Sequence, residues 1–500
     1  MNHLFDRLFA TGGADAPAIV VGDETLTYAG LEAETAGWAN ALVAVGVGPG
    51  NRVAVQVEKS VAGLALYLAA VRAGAVFLPL NPAYTPTEVG YFLADAEPAL
   101  FVCDPARREA LAAIAGRARI ETLGKEGEGS LAGLAAGSPA VFATLPRAAG
   151  DLAAICYTSG TTGRSKGAML THRALASNAA TLKDLWRFTA SDVLIHALPI
   201  YHVHGLFIAT HVTLMAGAAM IFQPRFDAGT VLAAMPHATA MMGVPTFYTR
   251  LLDHPGLTRE AVAGMRLFVS GSAPLLAQTH RAWTTRTGTE ILERYGLTET
   301  GMNASHPYGG PRLPGSVGRA LPGVSVRIVD DSGGAGLPPG ETGIVQVKGP
   351  NVCAGYWRDE AKTAAAFTAD GWFRTGDLGR LDDDAYLWLV GRSTDLIISG
   401  GLNVYPAEVE AAIDALPGVT ESAVIGLPHP DFGEAVTAVV VGTPDLEAGA
   451  IATALESRLA GFKRPRRILF AAELPRNAMG KVTKAALRAA HATLYQPTDG

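Results

Sequence analysis

The sequence predicts an α/β fold divided into more than one domain, and three observations carry that expectation. Its 500 residues, 49% of them hydrophobic, exceed what a single core ordinarily organises. Apolar strand-like runs alternate with helical stretches through the first half of the chain, the rhythm of parallel sheets wrapped by helices. After about residue 310 the style changes to short strands between Gly, Pro and Asp turns, and from Asp395 a new alternation of strands and helices begins.

The elements follow in order. "RVAVQV" reads as a buried strand, "SVAGLALYLAAVRAG" as a helix closing at Gly74, and "AVFLPL" as the next strand. "TPTEVGYFLADA" is helical, with Thr85 as N-cap and Pro86 in the first turn. "ALFVCD" is a strand again, and "LAAIC" is another, running into a Gly/Ser/Thr loop. A helix, "HRALASNAATLKDLW" with Thr171 as its cap, is expected to follow that loop. The rhythm resumes with "DVLIHALP", "AAMIFQ", "TAMMGVP" and "MRLFVSGSAPL", then a helix around "LLAQTHRAWTTRTG". "PGVSVRIVD", "TGIVQVKGP" and "WFRTGDLGRLDDDAYLWLVGR" predict a small β-rich subdomain over residues 310–392. "PAEVEAAIDAL", "ESAVIGL", "AVTAVVVG", "AIATALESRLAG" and "RRILFAA" then predict a separate, smaller α+β domain over 395–500, a normal size for an independent unit. The expected boundary lies between Arg392 and Asp395.

Composition narrows the class. A net charge of −6 argues against a nucleic-acid footprint over the whole surface. Cys103, Cys156 and Cys353 are far apart and odd in number, so buried thiols in a reducing compartment are expected, not a zinc or disulfide framework. The N-terminus lacks the apolar core of a secretory signal. The most apolar long region, "GLALYLAAVRAGAVFLPL", is broken by Arg72 and Pro79 and is not expected to span a bilayer. A soluble, cytoplasmic protein without nucleic-acid or membrane partners is the expectation.

The densest chemistry lies in "YTSGTTGRSKGAM", Tyr157–Met169. Hydroxyls, glycines at 160, 163 and 167, and the cations Arg164 and Lys166 suit a polyphosphate better than a plain surface turn. The loop is not a Walker A motif. Counting from Gly160 puts Ser165-Lys166-Gly167 where Gly-Lys-Ser/Thr should stand. Three further pieces are weaker alone. In "LERYGLTETG", Tyr295 is placed to stack on a base, Thr298 to bond a phosphate and Glu299 to hold magnesium, although Glu299 by itself equally fits a surface acid. Asp377, in the tight turn of "FRTGDLGR", is placed to accept two ribose hydroxyls. Lys481, after Gly480 in "PRNAMGKVTK", equally fits a solvated terminal lysine.

Together, in this order, these pieces resemble the adenylate-forming superfamily of acyl-CoA synthetases, peptide-synthetase adenylation domains and firefly-type luciferases. The resemblance runs from "LTYAGLEAETAGWANAL" to "LPRNAMGKVTKAAL" and includes "GRSTDLI". It implies a large N-terminal domain to residue 392 and a mobile C-terminal domain hinged at residues 393–394. It implies a phosphate cradle at Thr158, Ser159, Gly160, Thr161, Thr162, Gly163 and Lys166, magnesium on Glu299, and Thr298 at the α-phosphate. Ser272, Ala273, Pro274, Glu293, Arg294, Tyr295 and Gly296 are expected to line the adenine pocket, Asp377 to bind the ribose hydroxyls, and Arg392 to add a further ribose or phosphate contact. Lys481 should reach the α-phosphate during adenylation and withdraw while the CoA thiol attacks, with Gly400 and Gly401 of "SGGLNVYP" lining the thiol's tunnel. Thr394 departs from the family, whose hinge residue is usually Asp or Lys. Acylation of Lys481 by a lysine acetyltransferase would remove the charge that adenylation needs.

The acyl pocket is expected near "LPIYHVHGLF" and "GVPTFYTRLL". Arg250 is the expected partner of a second carboxylate, completed by His204 and Ser272, although Arg250 alone equally fits a solvated helix position. "ALPIYHVHGLF", "GVPTFYTRLL", "RLFVSGSAPL" and "ERYGLTETGMN" resemble bacterial malonyl-CoA synthetases. That resemblance implies malonate, ATP and CoA as substrates, with Val203 and Met302 as pocket walls; core packing explains those two equally well. Arg464 in "GFKRPRR" either meets CoA phosphates or belongs to a solvated basic face. The alternatives are another short-chain or aryl-CoA synthetase, a stand-alone enzyme loading a carrier protein, and a non-catalytic ATP-binding role.

Overall fold

The first sheet of the N-terminal domain has the strand order Arg119–Thr122, Leu100–Cys103, Arg52–Gln56, Val76–Pro79, Leu152–Thr158, Lys166–Thr171. Its first five strands are parallel, and they are buried on both faces, which is why their sequences read as continuous apolar runs. The computed structural model describes residues 1–158, 165–330, 334, 336–400, 402–477 and 480–495.

The helices begin where their sequences say. Thr85 and Glu88 close a full capping box on the helix Pro86–Ala96. Ser60 and Thr171 cap the helices Val61–Arg72 and His172–Leu185 through their hydroxyls. Val61–Arg72 is apolar all round and buried from Gly63 to Arg72, as a helix enclosed between layers must be. Arg72 is tolerated there because its guanidinium donates to Glu32 O, Thr35 Oγ1, Phe142 O and Thr144 Oγ1. Among the described residues no helix is long and apolar enough to cross a membrane. Cys103, Cys156 and Cys353 are all buried free thiols.

One expectation fails at the glycine-rich loop. The loop does not open directly into a helix. Lys166–Thr171 is a strand that pairs antiparallel with Leu152–Thr158, Thr158 opposite Lys166, and the helix starts only at His172. The segment between Thr158 and Lys166 therefore connects two paired antiparallel strands, and residues 159–164 within it lie outside the described residues. Tyr157 and Met169 supply residues fit for a pleated surface, and Gly167 lets the strand pass close to Ile155 and Trp357.

The second sheet has nine strands. Its central six, in the order Ile291–Leu297, Leu267–Ser270, Ala240–Gly243, Val193–His196, Ala219–Phe222, Pro17–Val21, are parallel. A four-stranded antiparallel sheet over Ser325–Val329, Gly343–Lys348, Phe373–Leu381 and Leu387–Arg392 forms the β-rich part that the turn-dense sequence predicts. The smaller C-terminal domain wraps helices around a five-stranded sheet whose long hairpin is Val419–His429 and Gly433–Gly442. The architecture is the expected α/β one, a large N-terminal domain of sheets and a smaller C-terminal domain.

In that smaller domain Asp414 ends the helix Pro406–Asp414 with its side chain buried. Burial pushes its pKa up to about 7, and the nearby Glu410 and Glu421 carboxylates push the same way. An unfolded aspartate ionises near pH ~4, so between that pH and 7 the folded chain binds more protons than the unfolded one. Stability therefore falls as pH rises through this window. Asp414→Asn should raise the melting temperature at pH 8 by an amount worth on the order of 2–4 kcal/mol. The gain should vanish near pH 4, which calorimetry across pH would check.

Candidate active site

Parallel strands end together, so the loops leaving Val193–His196, Ala240–Gly243, Leu267–Ser270 and Ile291–Leu297 collect at one edge of the second sheet. His204 arrives there at the start of a π-helical segment, His204–Ala209, and Ser272 arrives in a left-handed conformation, φ 71°. His204 Nδ1 lies 3.3 Å from Ser272 Oγ, and an Arg294 amino group makes a long contact of 3.5 Å to the same hydroxyl. Gly271 makes room for this cation: a Cβ there would stand 2.3 Å from the Arg294 guanidinium carbon.

Arg294 is 4% exposed, and no described carboxylate pairs with it. Its Nε and the His204 Nε2 are buried without a hydrogen-bond partner. Burial lowers the Arg294 pKa to about 9. Burial also holds the His204 imidazole neutral, with the Arg294 charge pushing the same way. An isolated buried cation costs several kcal/mol, a cost that an anion brought to it would offset.

The expected site residues are placed as follows. Arg250 stands exposed near the end of the helix Pro245–Asp253, and the buried cation beside His204 and Ser272 is Arg294. Glu293 and Arg294 do not face one pocket together, because adjacent strand residues point to opposite faces. Glu293 turns into the interior, where it lies 3.3 Å from His280 and accepts from Gly315 N. The signal was present in "ILERYGL": two charges inside an apolar strand demand separate buried partners. Gly296 is needed where the strand turns, since a Cβ would meet Gly301 O at 1.9 Å. After Ser272 the chain places Ala273 half-buried and Pro274 exposed.

Val203 and Met302 are buried near this site. Val203 and Thr298 line one small cavity together with Leu175, Phe207 and Asn178. Met302 is fixed through its backbone, which both donates to Asn178 Oδ1 at 3.0 Å and accepts from Asn178 Nδ2 at 2.9 Å.

The other half of the site gathers the polyphosphate candidates. Thr158 and Lys166 face each other across the hairpin, while Ser159, Gly160, Thr161, Thr162, Gly163 and Arg164 lie outside the described residues. The Lys166 ammonium sits 5.1 Å from the centre of the Tyr356 ring, and the Tyr356 hydroxyl donates to Glu299 at 3.0 Å. Tyr356 was not singled out in the sequence. It is far from both partners along the chain, and it is brought in where residues 353–357 run against the hairpin, through the bridge between Ala168 and Tyr356 and the backbone hydrogen bonds beside it.

Asp377 is held from two sides. Arg392 Nε lies 2.7 Å from one oxygen, and the Tyr295 hydroxyl donates to the other. Burial raises the Asp377 pKa, opposed by the Arg392 charge and the tyrosine hydrogen bond. The Tyr295 ring itself packs in a buried cluster with Ala304, Ile328 and Val345, so its present contacts serve Asp377 and the core, not an exposed stacking face.

The C-terminal domain closes over this half. Gly480 touches the first turn of the helix Pro245–Asp253, with its Cβ direction 3.0 Å from Thr246, and Gln278 donates to Thr420 O across the domains. Lys481 is close enough to Asp377 and Arg392 for their charges to act on it. Crowding by protein and the Arg392 charge lower its pKa, and Asp377 opposes them. Gly400 is exposed at φ 59°, Gly401 lies outside the described residues, and Arg464 is 3.7 Å from Glu456 within its own domain.

The chain belongs to the AMP-binding enzyme family: that family matches residues 7–357, and the AMP-binding enzyme C-terminal domain matches residues 408–481. A crystal structure of ATP-bound MatB from Rhodopseudomonas palustris is 56% identical and superposes with a TM-score of 0.97, covering 99% of this chain and 100% of that one. The apo form of the same protein superposes at 0.87. An indoleacetate–CoA ligase from Aromatoleum aromaticum is 37% identical over 93% of each chain. A mitochondrial malonate–CoA ligase from Bos taurus is 35% identical over 87% of this chain and 80% of its own.

The His204 environment makes a direct prediction. Its imidazole signals in an NMR titration should not shift between pH 5 and 8, whereas exposed histidines titrate near pH ~6.5.

Proposed function

We propose that this protein is an ATP-dependent malonate:CoA ligase that forms malonyl-CoA through a malonyl-adenylate, releasing pyrophosphate and then AMP. The observation that carries the reading is the unpaired, buried Arg294 beside His204 and Ser272. A monocarboxylic acid spends its only carboxylate at the α-phosphate and would leave this cation uncompensated. A dicarboxylic acid supplies one carboxylate for activation and one for Arg294. The malonate–CoA ligase among the relatives supports the acid, and the ATP-bound MatB structure supports the nucleotide.

On this reading Thr158 through Lys166 cradle the β- and γ-phosphates, Asp377 and Arg392 hold the ribose, and Thr298 touches the α-phosphate. Ser272, Ala273, Pro274 and Tyr295 border the adenine. Glu299, an acid without an ion-pair partner among the described residues and oriented by Tyr356, fits a magnesium ion on the triphosphate. Bound there, magnesium would supply charge neutralisation as pyrophosphate leaves. Lys481 places its ammonium at the α-phosphate, where charge accumulates as the acid attacks. The CoA thiol then attacks the acyl-adenylate carbonyl and AMP departs. Lys481 has no task in that step, so the C-terminal domain, residues 395–500, is free to rotate about the hinge at residues 393–394 after Arg392. Rotation would bring Gly400 and Gly401 to the thiol's tunnel and Arg464 towards the CoA phosphates.

Pyrophosphate release with malonate, acetate, methylmalonate, indoleacetate and benzoate, each with and without CoA, tests the reading. Malonate should be turned over best, and only with CoA to completion; equal use of acetate would overturn the dicarboxylate argument. Arg294→Ala should lower kcat/KM for malonate on the order of a hundredfold, the loss expected for a buried charge-assisted pair. Arg250→Ala should cost much less, because that side chain is exposed.

Lys481 is also proposed as a site for a lysine acetyltransferase. Acetylation removes the charge that adenylation uses. Fully acetylated enzyme should lose malonate-dependent pyrophosphate release and still convert preformed malonyl-adenylate with CoA, measurable by mass spectrometry and single-turnover assay.

A further inference from the structure

The segment that carries Lys481 contains four cations, Arg476, Lys481, Lys484 and Arg488. Three of them have carboxylate partners. Arg476 pairs with Glu421 on the strand Val419–His429, Lys484 lies 2.6 Å from Glu410 on the helix Pro406–Asp414, and Arg488 lies 2.5 Å from Asp395 beside the hinge. Lys481 alone is in no ion pair among the described residues, and the charges of Asp377 and Arg392 across the domain boundary, and of Asp395 and Lys484, act on it.

The Arg476 pair does more than attach the segment. One amino group meets Glu421, and the other donates to the Gly480 carbonyl at 2.7 Å, the peptide oxygen immediately before Lys481. The turn is closed from within by Gly480 N donating to Asn477 O, and by Asn477 N donating to Lys481 O, both at 2.9 Å. Gly480 sits at φ 72°, where it also touches Thr246 of the larger domain. The guanidinium thus fixes the direction of the peptide from which the lysine extends, and Glu421 fixes the guanidinium.

We propose that Glu421 is a positioning residue for Lys481, acting through Arg476 on the Gly480 carbonyl. The proposal rests on the adenylation reading above, in which Lys481 serves the first half-reaction and not the second. A lysine misdirected by an ångström or so costs rate without loss of fold, since catalytic electrostatics depend steeply on placement. The Glu410 and Asp395 pairs keep the segment on its own domain, so that the lysine enters and leaves the site with that domain as one body.

The test compares the two half-reactions in the full-length enzyme: malonate-dependent ATP–pyrophosphate exchange, and single-turnover reaction of preformed malonyl-adenylate with CoA. Glu421→Gln should slow exchange on the order of ten- to a hundredfold and change the second half-reaction by no more than about twofold. Arg476→Gln should do the same, and serves as the second variant if the first is poorly folded. The charge-swapped pair Glu421→Arg with Arg476→Glu restores an ion pair but not a donor to Gly480, so it should remain slow in exchange. Equal losses in both half-reactions, or recovery of exchange in the swapped pair, would overturn the proposal by showing that the pair merely holds the domain together. If wild-type enzyme shows no malonate-dependent exchange, the acid assignment fails, and the same comparison is made with whichever acid of the panel supports exchange.

Discussion

The pairing of Asp377 with Arg392 organises the junction on which the rest of the molecule depends. Asp377 lies within one strand of the antiparallel sheet and Arg392 ends the next, opposite it in register, so the hydrogen-bonding ladder itself brings the two charges together. Tyr295 reaches the same carboxylate from the second sheet, and Lys481 faces it from the smaller domain. One buried acid therefore feels the antiparallel sheet, the second sheet and the smaller domain together. Burial pushes its pKa up; the Arg392 guanidinium and the phenol hydroxyl oppose that shift.

The surroundings of Arg294 work by the opposite principle. Arg294 and His204 are buried and left incompletely satisfied, which costs folding energy. Natural cores rarely retain such groups without a task. The two halves of the site differ in consequence. Asp377 is neutralised from within by Arg392 and held by protein–protein contacts, whereas Arg294 has no carboxylate partner among the described residues. This fits an enzyme whose nucleotide pocket is shared across its family and whose acid pocket distinguishes one member from another.

Much of the fold is legible because its signals are local. Thr85 with Glu88, Ser60 and Thr171 mark helix starts through side chains that bond within three residues of themselves. The parallel sheets are legible because strands buried on both faces must be apolar throughout. The hairpin after the glycine loop is not legible in the same way. Lys166–Thr171 is short, small-residued and followed at once by a helix cap, so the strand exists only because Leu152–Thr158 offers it a ladder. Arg250 and Arg294 show the same limit for the site. Both lie in plausible segments, but burial depends on which face of each element meets the neighbouring layers.

The sequence by itself determined the family and the order of its motifs, because each motif is a short local run of glycines, hydroxyls and charges that can be read without knowing the packing. Tertiary structure decided which arginine is buried without a partner, that Tyr356 joins Lys166 to Glu299, and that Glu421 reaches Lys481 through Arg476. Each of these is a contact between residues distant in the chain. Its free energy comes from desolvation and geometry, and neither exists until the layers have packed.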